Sequence, residues 1–378
     1  MKKIVLIPDS FKGTLSSEKI CSIMEQQIHS IYEDCEVISI PVADGGEGSV
    51  DSFISAVGGI KIEERVKNPY FEDMTSYYGL IDEGHTAIVE MASCAGLPLV
   101  VDRKNPELTT TYGVGQLIMA AARKGVDKII VGLGGSSTND GGCGAAAAIG
   151  IRFFDASNHS FIPTGGTLQN IKTIDCSNKS HLLDSLEIVT MCDIDNPMYG
   201  PTGASTIFGP QKGATTEMVK ALDEGVKNLS VVIEKTCGKD LSQVPGTGAA
   251  GAMGASMLAF FGSELKMGIE IVLDTVNFDE VIQDADVIFT GEGKLDSQSL
   301  RGKVIFGVAH RAKKYHKPVI AVVGGVDDEI EADICVSGVS AIFPINRLPK
   351  DFSVSRKNSE ENLAHTMKNI VNLINLGL

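Results

Sequence analysis

Residues 134–142 read GGSSTNDGG: four glycines, three hydroxyl side chains, one amide and one carboxylate in nine positions. Glycines let successive backbone N–H groups converge on an anion, and a helix starting directly afterwards adds the positive end of its dipole. Gly134 and Gly135 would open such a cradle. Ser136, Ser137, Thr138 and Asn139 could donate to phosphate oxygens, and Asp140 could hold Mg2+ directly or through water, because hard cations take oxygen ligands. The plainer alternative is a tight strand-to-helix turn in which glycine only permits close packing. That turn needs one or two glycines and no stack of hydroxyls, so the phosphate cradle is the reading adopted.

A second set of chemically able residues is acidic. Asp9, Asp44, Glu47, Glu292 and Asp296 each follow an apolar run that reads as a parallel strand, which would gather them at one carboxyl edge of a sheet, where ligands bind in such folds. Asp193, Asp195 and Asn196 come from the middle of the chain. Any one of these could cap a helix or serve a turn. Ser10, Lys12 and Lys294 lie in the same edge loops, and Lys212 lies in a separate glycine loop. With a net charge of −15, lysines at a ligand edge suggest that a small anion is held locally, while the bulk charge repels nucleic acid and anionic membrane. All seven histidines fall outside the Gly/acidic loops, which disfavours histidine catalysis. There is no GxxxxGK[ST] segment. Residues 246–251, GTGAAG, fit GxGxxG, yet a polar stretch ending in Pro245 precedes them and no acidic residue follows about twenty positions on. They read as a closely packed helix start and not as an NAD site.

These loops need elements to hold them. Ile4–Ile7 is a continuous apolar run, the mark of a strand buried on both faces, and Ser16 or Ser17 can cap the helix that follows. Residues 37–42 form a second such strand, and Gly58-Gly59 closes the next helix. From about residue 61 the pattern changes to short strands (61–66, 76–81, 86–91), then a helix at about 112–124, a strand at 128–133 before the loop, and an Ala-rich helix at 143–150. Near 280 the first pattern returns, with strands inside 284–296, 317–325 and 341–345 and a helix at about 302–315. Five such strands fit one parallel, doubly wound α/β sheet interrupted by an inserted domain, with parts 1–68 and 283–378 flanking an insert at 69–282. A hydrophobic fraction of 43% with 21% charged residues is that of a globular chain. The eight cysteines show no CxxC pair, which argues for thiols in a reducing compartment and against structural zinc. No signal-like apolar segment opens the chain. The uncharged stretch 244–262 is mostly Gly, Ala, Ser and Thr, too weakly apolar for a membrane span. A cytoplasmic location is expected.

Seven blocks together resemble the bacterial type-1 glycerate kinases: PDSFKG (8–13), PVADGGEG (41–48), GGSSTNDGG (134–142), CDIDNP (192–197), FGPQKGA (208–214), GAAGAMG (248–254) and TGEGKLDSQSLRGK (290–303). The likeness runs from residue 4 to beyond 325 in the family's order. Departures are small, with Ser137 where the family often has Ala and Lys294 where Arg is common. The resemblance implies ATP-dependent phosphorylation of D-glycerate with Mg2+, usually to 2-phosphoglycerate and otherwise to 3-phosphoglycerate. It also implies a flavodoxin-like domain interrupted by a second α/β domain.

Roles follow from chemistry. The 134–140 loop would hold ATP phosphates and Mg2+, with Asp140 and Asp193 as metal ligands, in a cleft between the two domains. Asp9, Ser10, Lys12, Asp44 and Glu292 would bind glycerate. Asp296 or Asp193 would accept the proton of the attacking hydroxyl, with Lys294 beside it. Partners are then small molecules only, with a homodimer as the candidate assembly. Three rivals stand beside this reading. GLGGSS (132–137) resembles the phosphate loop of GHMP-type kinases, a non-enzymatic sugar-acid sensor could share the domains, and an NAD-dependent dehydrogenase would use 246–251.

Overall fold

The computed structural model describes residues 1–42, 46–295, 304–327, 337–347, 351 and 355–377. In chain order the strands are β1 (Lys3–Pro8), β2 (Glu36–Ser39), β3 (Ile60–Lys67), β4 (Asp73–Ile81), β5 (Thr86–Glu90), β6 (Lys128–Gly132), β7 (Arg152–Phe154), β8 (Ser160–Phe161), β9 (Thr173–Asp175), β10 (Glu187–Met191), β11 (Glu264–Lys266), β12 (Val287–Gly291), β13 (Val319–Val323) and β14 (Ala341–Pro344). They fall into two compact units. One comprises Met1–Asp44, Ser55–Val57 and Met267–Leu378, and the other comprises Gly45–Ile54 and Gly58–Lys266.

These divisions lie some residues before the boundaries near 68 and 283 read from sequence. β3 pairs with β4 from Ile60↔Leu80 to Lys67↔Asp73, which carries it into the second unit. The helix Gly268–Thr275 belongs to the first, where Arg311 Nη2 donates to Glu270 Oε2 at 2.7 Å.

The first unit is a wholly parallel sheet in the order β14-β13-β12-β1-β2. Numbered within the unit this is 2-1-3-4-5, the flavodoxin-like winding, and its switch point lies between β1 and β12. Ile4, Val5, Leu6 and Ile7 are all buried, as a strand covered on both faces requires. Ser16 Oγ accepts from Lys19 N and starts the helix Ser17–His29. That helix buries Ile20, Met24 and Ile28 in one cluster with Leu363, Met367 and Ile370 of the C-terminal helix Ser359–Asn375. Each such side chain contributes about 1.5–3 kcal/mol by burial.

The second unit has a six-stranded sheet, β11-β10-β6-β5-β4-β3, and a small antiparallel sheet, β8-β7-β9. β3, β4 and β5 run antiparallel, while β5, β6, β10 and β11 are parallel. The helix Tyr112–Arg123 between β5 and β6 is buried along most of its length. Its Gly113 and Gly115 sit where a Cβ would fall on Lys67 O and Ala145 O, so only glycine lets it seat so closely. The ends of the parallel strands align as Glu90↔Gly132↔Met191↔Lys266, and the following segments leave from one edge.

Candidate functional site

The loop 134–142 leaves that edge after β6 and is strapped to the neighbouring segment 92–97. Ser137 donates from both N and Oγ to Ala95 O, each at 2.9 Å, and Gly135 O accepts from Leu97 N at 2.9 Å. Gly134 and Gly135 form its more open rim, while Ser136, Ser137, Thr138, Asn139 and Asp140 are buried.

Asp140 is the hub of the loop. Its Oδ2 accepts from Thr111 N at 2.7 Å, Thr111 Oγ1 at 2.8 Å, Gly144 N at 3.1 Å and Thr110 Oγ1 at 3.3 Å, and its Oδ1 accepts from Gly142 N at 3.2 Å. Burial pushes the carboxyl above its usual range, against the pull of these donors. Asp140, expected from sequence as a metal ligand, thus has Oδ2 engaged by four of the protein's own N–H and O–H groups and Oδ1 by one. Among the described residues, no three His, Cys, Asp or Glu side chains gather as a metal cage.

Lys212 holds the opposite side. It ends the single turn Pro210–Lys212, is 1% exposed, and donates from Nζ to Ser136 Oγ at 2.8 Å and Thr138 O at 2.6 Å. Burial pushes its ammonium down to about 7, opposed by the negative charge of Asp140. Asn139 Nδ2 donates to Ser205 Oγ at 3.0 Å.

A left-handed turn closes on the loop from the start of the helix Ala249–Phe260. Ala250, Gly251 and Ala252 have φ of +53°, +67° and +69°. A Cβ on Gly251 would fall on Thr138 O, while Gly141 N donates to Gly251 O at 2.9 Å and Ser256 Oγ to Gly141 O at 2.5 Å. Two alanines in this conformation cost roughly 1–2 kcal/mol each, so the surrounding contacts must enforce it. GTGAAG is therefore a packing device at a helix start, as its sequence context indicated.

Side chains and neighbours thus fix the loop, but its main chain is not fully used. The N–H groups of Ser136, Thr138 and Asn139 donate to no described residue, and Thr138 Oγ1 and Asn139 Oδ1 are buried without a partner. Buried N–H groups in native proteins are almost all paired, and successive N–H groups in a glycine loop are the kind of surface that can receive an anion.

Asp193 leaves the same edge two residues after β10, half-buried, with Asp195 exposed and Asn196 donating to Thr202 O at 2.8 Å. Sequence reasoning missed Glu90. It ends the fully buried strand β5, its own carboxyl is raised by burial, and it accepts from Val50 N at 3.3 Å, holding the start of the helix Ser49–Val57. The available signal was an acid closing an apolar run.

In the first unit, Asp9 follows β1 and Glu292 follows β12, so the switch point brings these two buried carboxylates onto adjacent strands. Asp9 N donates to Gly291 O at 2.8 Å, and Ser10 N donates to Asp9 Oδ1 at 2.6 Å. Lys12 is exposed, and Lys294 pairs with Asp327 at 2.9 Å, both largely exposed. Glu47 is exposed. Asp44 and Asp296 lie outside the described residues.

Residues 4–375 match the model of the glycerate kinase family. The chain belongs to that family. As a glycerate kinase family member it is an ATP-dependent kinase, which sets aside the dehydrogenase, sensor and GHMP-type readings. It is 43% identical over 369 residues to a glycerate kinase of Bacillus cereus, covering 97% of each chain. It is 40% identical over 377 residues to the glycerate 2-kinase of Escherichia coli K12, covering 100% of this chain and 99% of that one. A crystal structure of a Salmonella typhimurium LT2 protein assigned as glycerate kinase 2 superposes with a TM-score of 0.87 at 38% identity, covering 100% and 99%. Among the described residues, no helix is long and apolar enough to cross a membrane.

Proposed function

We propose that this kinase transfers the γ-phosphoryl group of ATP to the C2 hydroxyl of D-glycerate, giving 2-phosphoglycerate, and that the loop 134–142 receives the ATP phosphates. The observation that carries the reading is that the N–H groups of Ser136, Thr138 and Asn139 donate to no described residue, in a loop otherwise held by its side chains and neighbours. The choice of C2 is supported by the 40% identity to a relative named glycerate 2-kinase.

Phosphoryl transfer is chiefly positioning and charge neutralisation, which suits prefixed donors without a nucleophilic side chain. Mg2+ is a hard cation that takes oxygen ligands, and single carboxylates such as Asp193 would suit it. We assign Asp193 to that ion, whose chemistry is to neutralise phosphate charge. Lys12 and Lys294 would meet the glycerate carboxylate, and Asp9, Ser10, Asp44 and Glu292 would hydrogen-bond its remaining oxygens. Asp296 or Asp193 would take the proton of the attacking hydroxyl. The described cysteines are free thiols, which suits a cytoplasmic enzyme.

Incubating the enzyme with ATP, Mg2+ and D-glycerate and following phosphorus NMR tests the reading. Resonances of ADP and 2-phosphoglycerate are expected. EDTA should stop turnover, and Mg2+ or Mn2+ should restore it. Formation of 3-phosphoglycerate alone would overturn the regiochemistry, and no ADP would overturn the activity.

A further inference from the structure

We propose that Lys212 is a positioning residue for the phosphate loop: its ammonium draws the Thr138 carbonyl and the Ser136 hydroxyl to one side and thereby turns the Asn139 N–H toward the bound phosphate. The inference rests on the reading that this loop receives ATP phosphates.

The geometry is that of a planar peptide. Thr138 C=O and Asn139 N–H belong to one trans unit and point in opposite directions. With Thr138 O fixed 2.6 Å from Lys212 Nζ, the Asn139 N–H must face away from the lysine, and it donates to no described residue. The clamp is anchored independently of the loop it holds. Gly213, at φ +96°, seats the turn against the Lys104 backbone, and Lys104 Nζ donates to Gln211 O at 3.3 Å.

Fold stability does not account for a charge here. Both partners of the buried ammonium are neutral oxygens, and the nearby Asp140 does not bond it. A buried ammonium with so little compensation is costly, and replacing a buried ion by an apolar side chain of similar length is often neutral or stabilising. A lysine serving only to pack would need no charge. Two of its three N–H groups are spent on the loop, on the Ser136 hydroxyl and the Thr138 carbonyl.

Lys212→Met separates the two roles. We expect the thermal midpoint to hold or rise, and KM and Kd for ATP to rise at least about tenfold, as for a lost charged hydrogen bond. The KM for D-glycerate should stay unchanged. A lower midpoint with wild-type ATP affinity would make Lys212 structural and overturn the inference. Gly135→Ala, at the rim of the loop, serves as the control for the underlying reading. If it raises the KM for ATP while Lys212→Met does not, only the role of Lys212 falls. If neither variant moves ATP affinity, the phosphate loop itself is misplaced. Should Lys212→Met fail to fold, Ser136→Ala removes one of the two clamped groups and must raise the KM for ATP about threefold or more; an unchanged KM would then sink the inference.

Discussion

The loops after β6 and after β12 both leave the carboxyl end of a parallel strand, and both are rich in glycine, yet they are fixed in opposite ways. In 134–142 the side chains are turned inward, with Ser137 on Ala95 O, Asp140 on Thr110 and Thr111, and Ser136 under Lys212, while the N–H groups of Ser136, Thr138 and Asn139 donate to no described residue. After β12 the main chain is the part that is stitched. Gly324 N donates to Glu292 O, Leu295 N to Gly325 O and Asp327 N to Leu295 O, and Lys294 is left on the surface. On the proposed function, the first loop would meet its ligand through backbone dipoles and the second through side chains. A mutation should therefore speak differently in each: through stability and ATP in the first, and through the small substrate in the second.

The most severe way to break this contrast is Asp140→Asn. An amide puts an NH2 group among five donors and removes a buried charge that they satisfy, a loss of about 3–5 kcal/mol. Thermal and urea melting should show a large drop. Melting like wild type with a weakened Mg2+ requirement would return Asp140 to the metal.

Lys294→Met should give the reverse pattern. Its ion pair with Asp327 is exposed, so stability should change by less than about 1 kcal/mol. If it meets the glycerate carboxylate, the KM for D-glycerate should rise severalfold with the KM for ATP unmoved, and equal effects on both would erase the distinction between the loops. The smallest expected effect is in pH dependence. Lys212 is pushed down to about 7 in the folded chain from an ordinary 10.5, so between these values the unfolded chain holds a proton that the folded chain has released, and stability rises with pH. The thermal midpoint should climb from pH 7 toward pH 9, and the slope should be shallower in Lys212→Met. Identical slopes would mean that this cation does not titrate there.

Much of this frame was legible in the residues. The buried run at Ile4–Ile7, the strand before GGSSTNDGG and the return of parallel strands near 287 follow from periodicity and turn chemistry, because they depend on neighbours close in sequence. Asp140 was not legible. A carboxylate in a glycine loop looks the same whether it faces a cation or two threonines some thirty residues earlier, and only the fold brings Thr110 and Thr111 to it. Lys212 reads locally as a solvated lysine in FGPQKGA, and its burial depends on Ser136 and Thr138, more than seventy residues away. Glu90 was hidden for the same reason, since its partner Val50 lies forty residues before it.

The pairing of β1 with β12 has a consequence for synthesis. Ile4 lies against Val287, so a nascent chain must carry its first apolar strand unpaired on that side until just over three quarters of the polypeptide has been made. At roughly 5–20 residues per second that wait lasts about 15–60 s. By then every strand of the second unit, from β3 to β11, has been translated. The middle of the gene can thus complete its sheet before the beginning of the gene can, and Ile4–Ile7 is the segment left waiting on the ribosome, where a chaperone that shields apolar strands would find it.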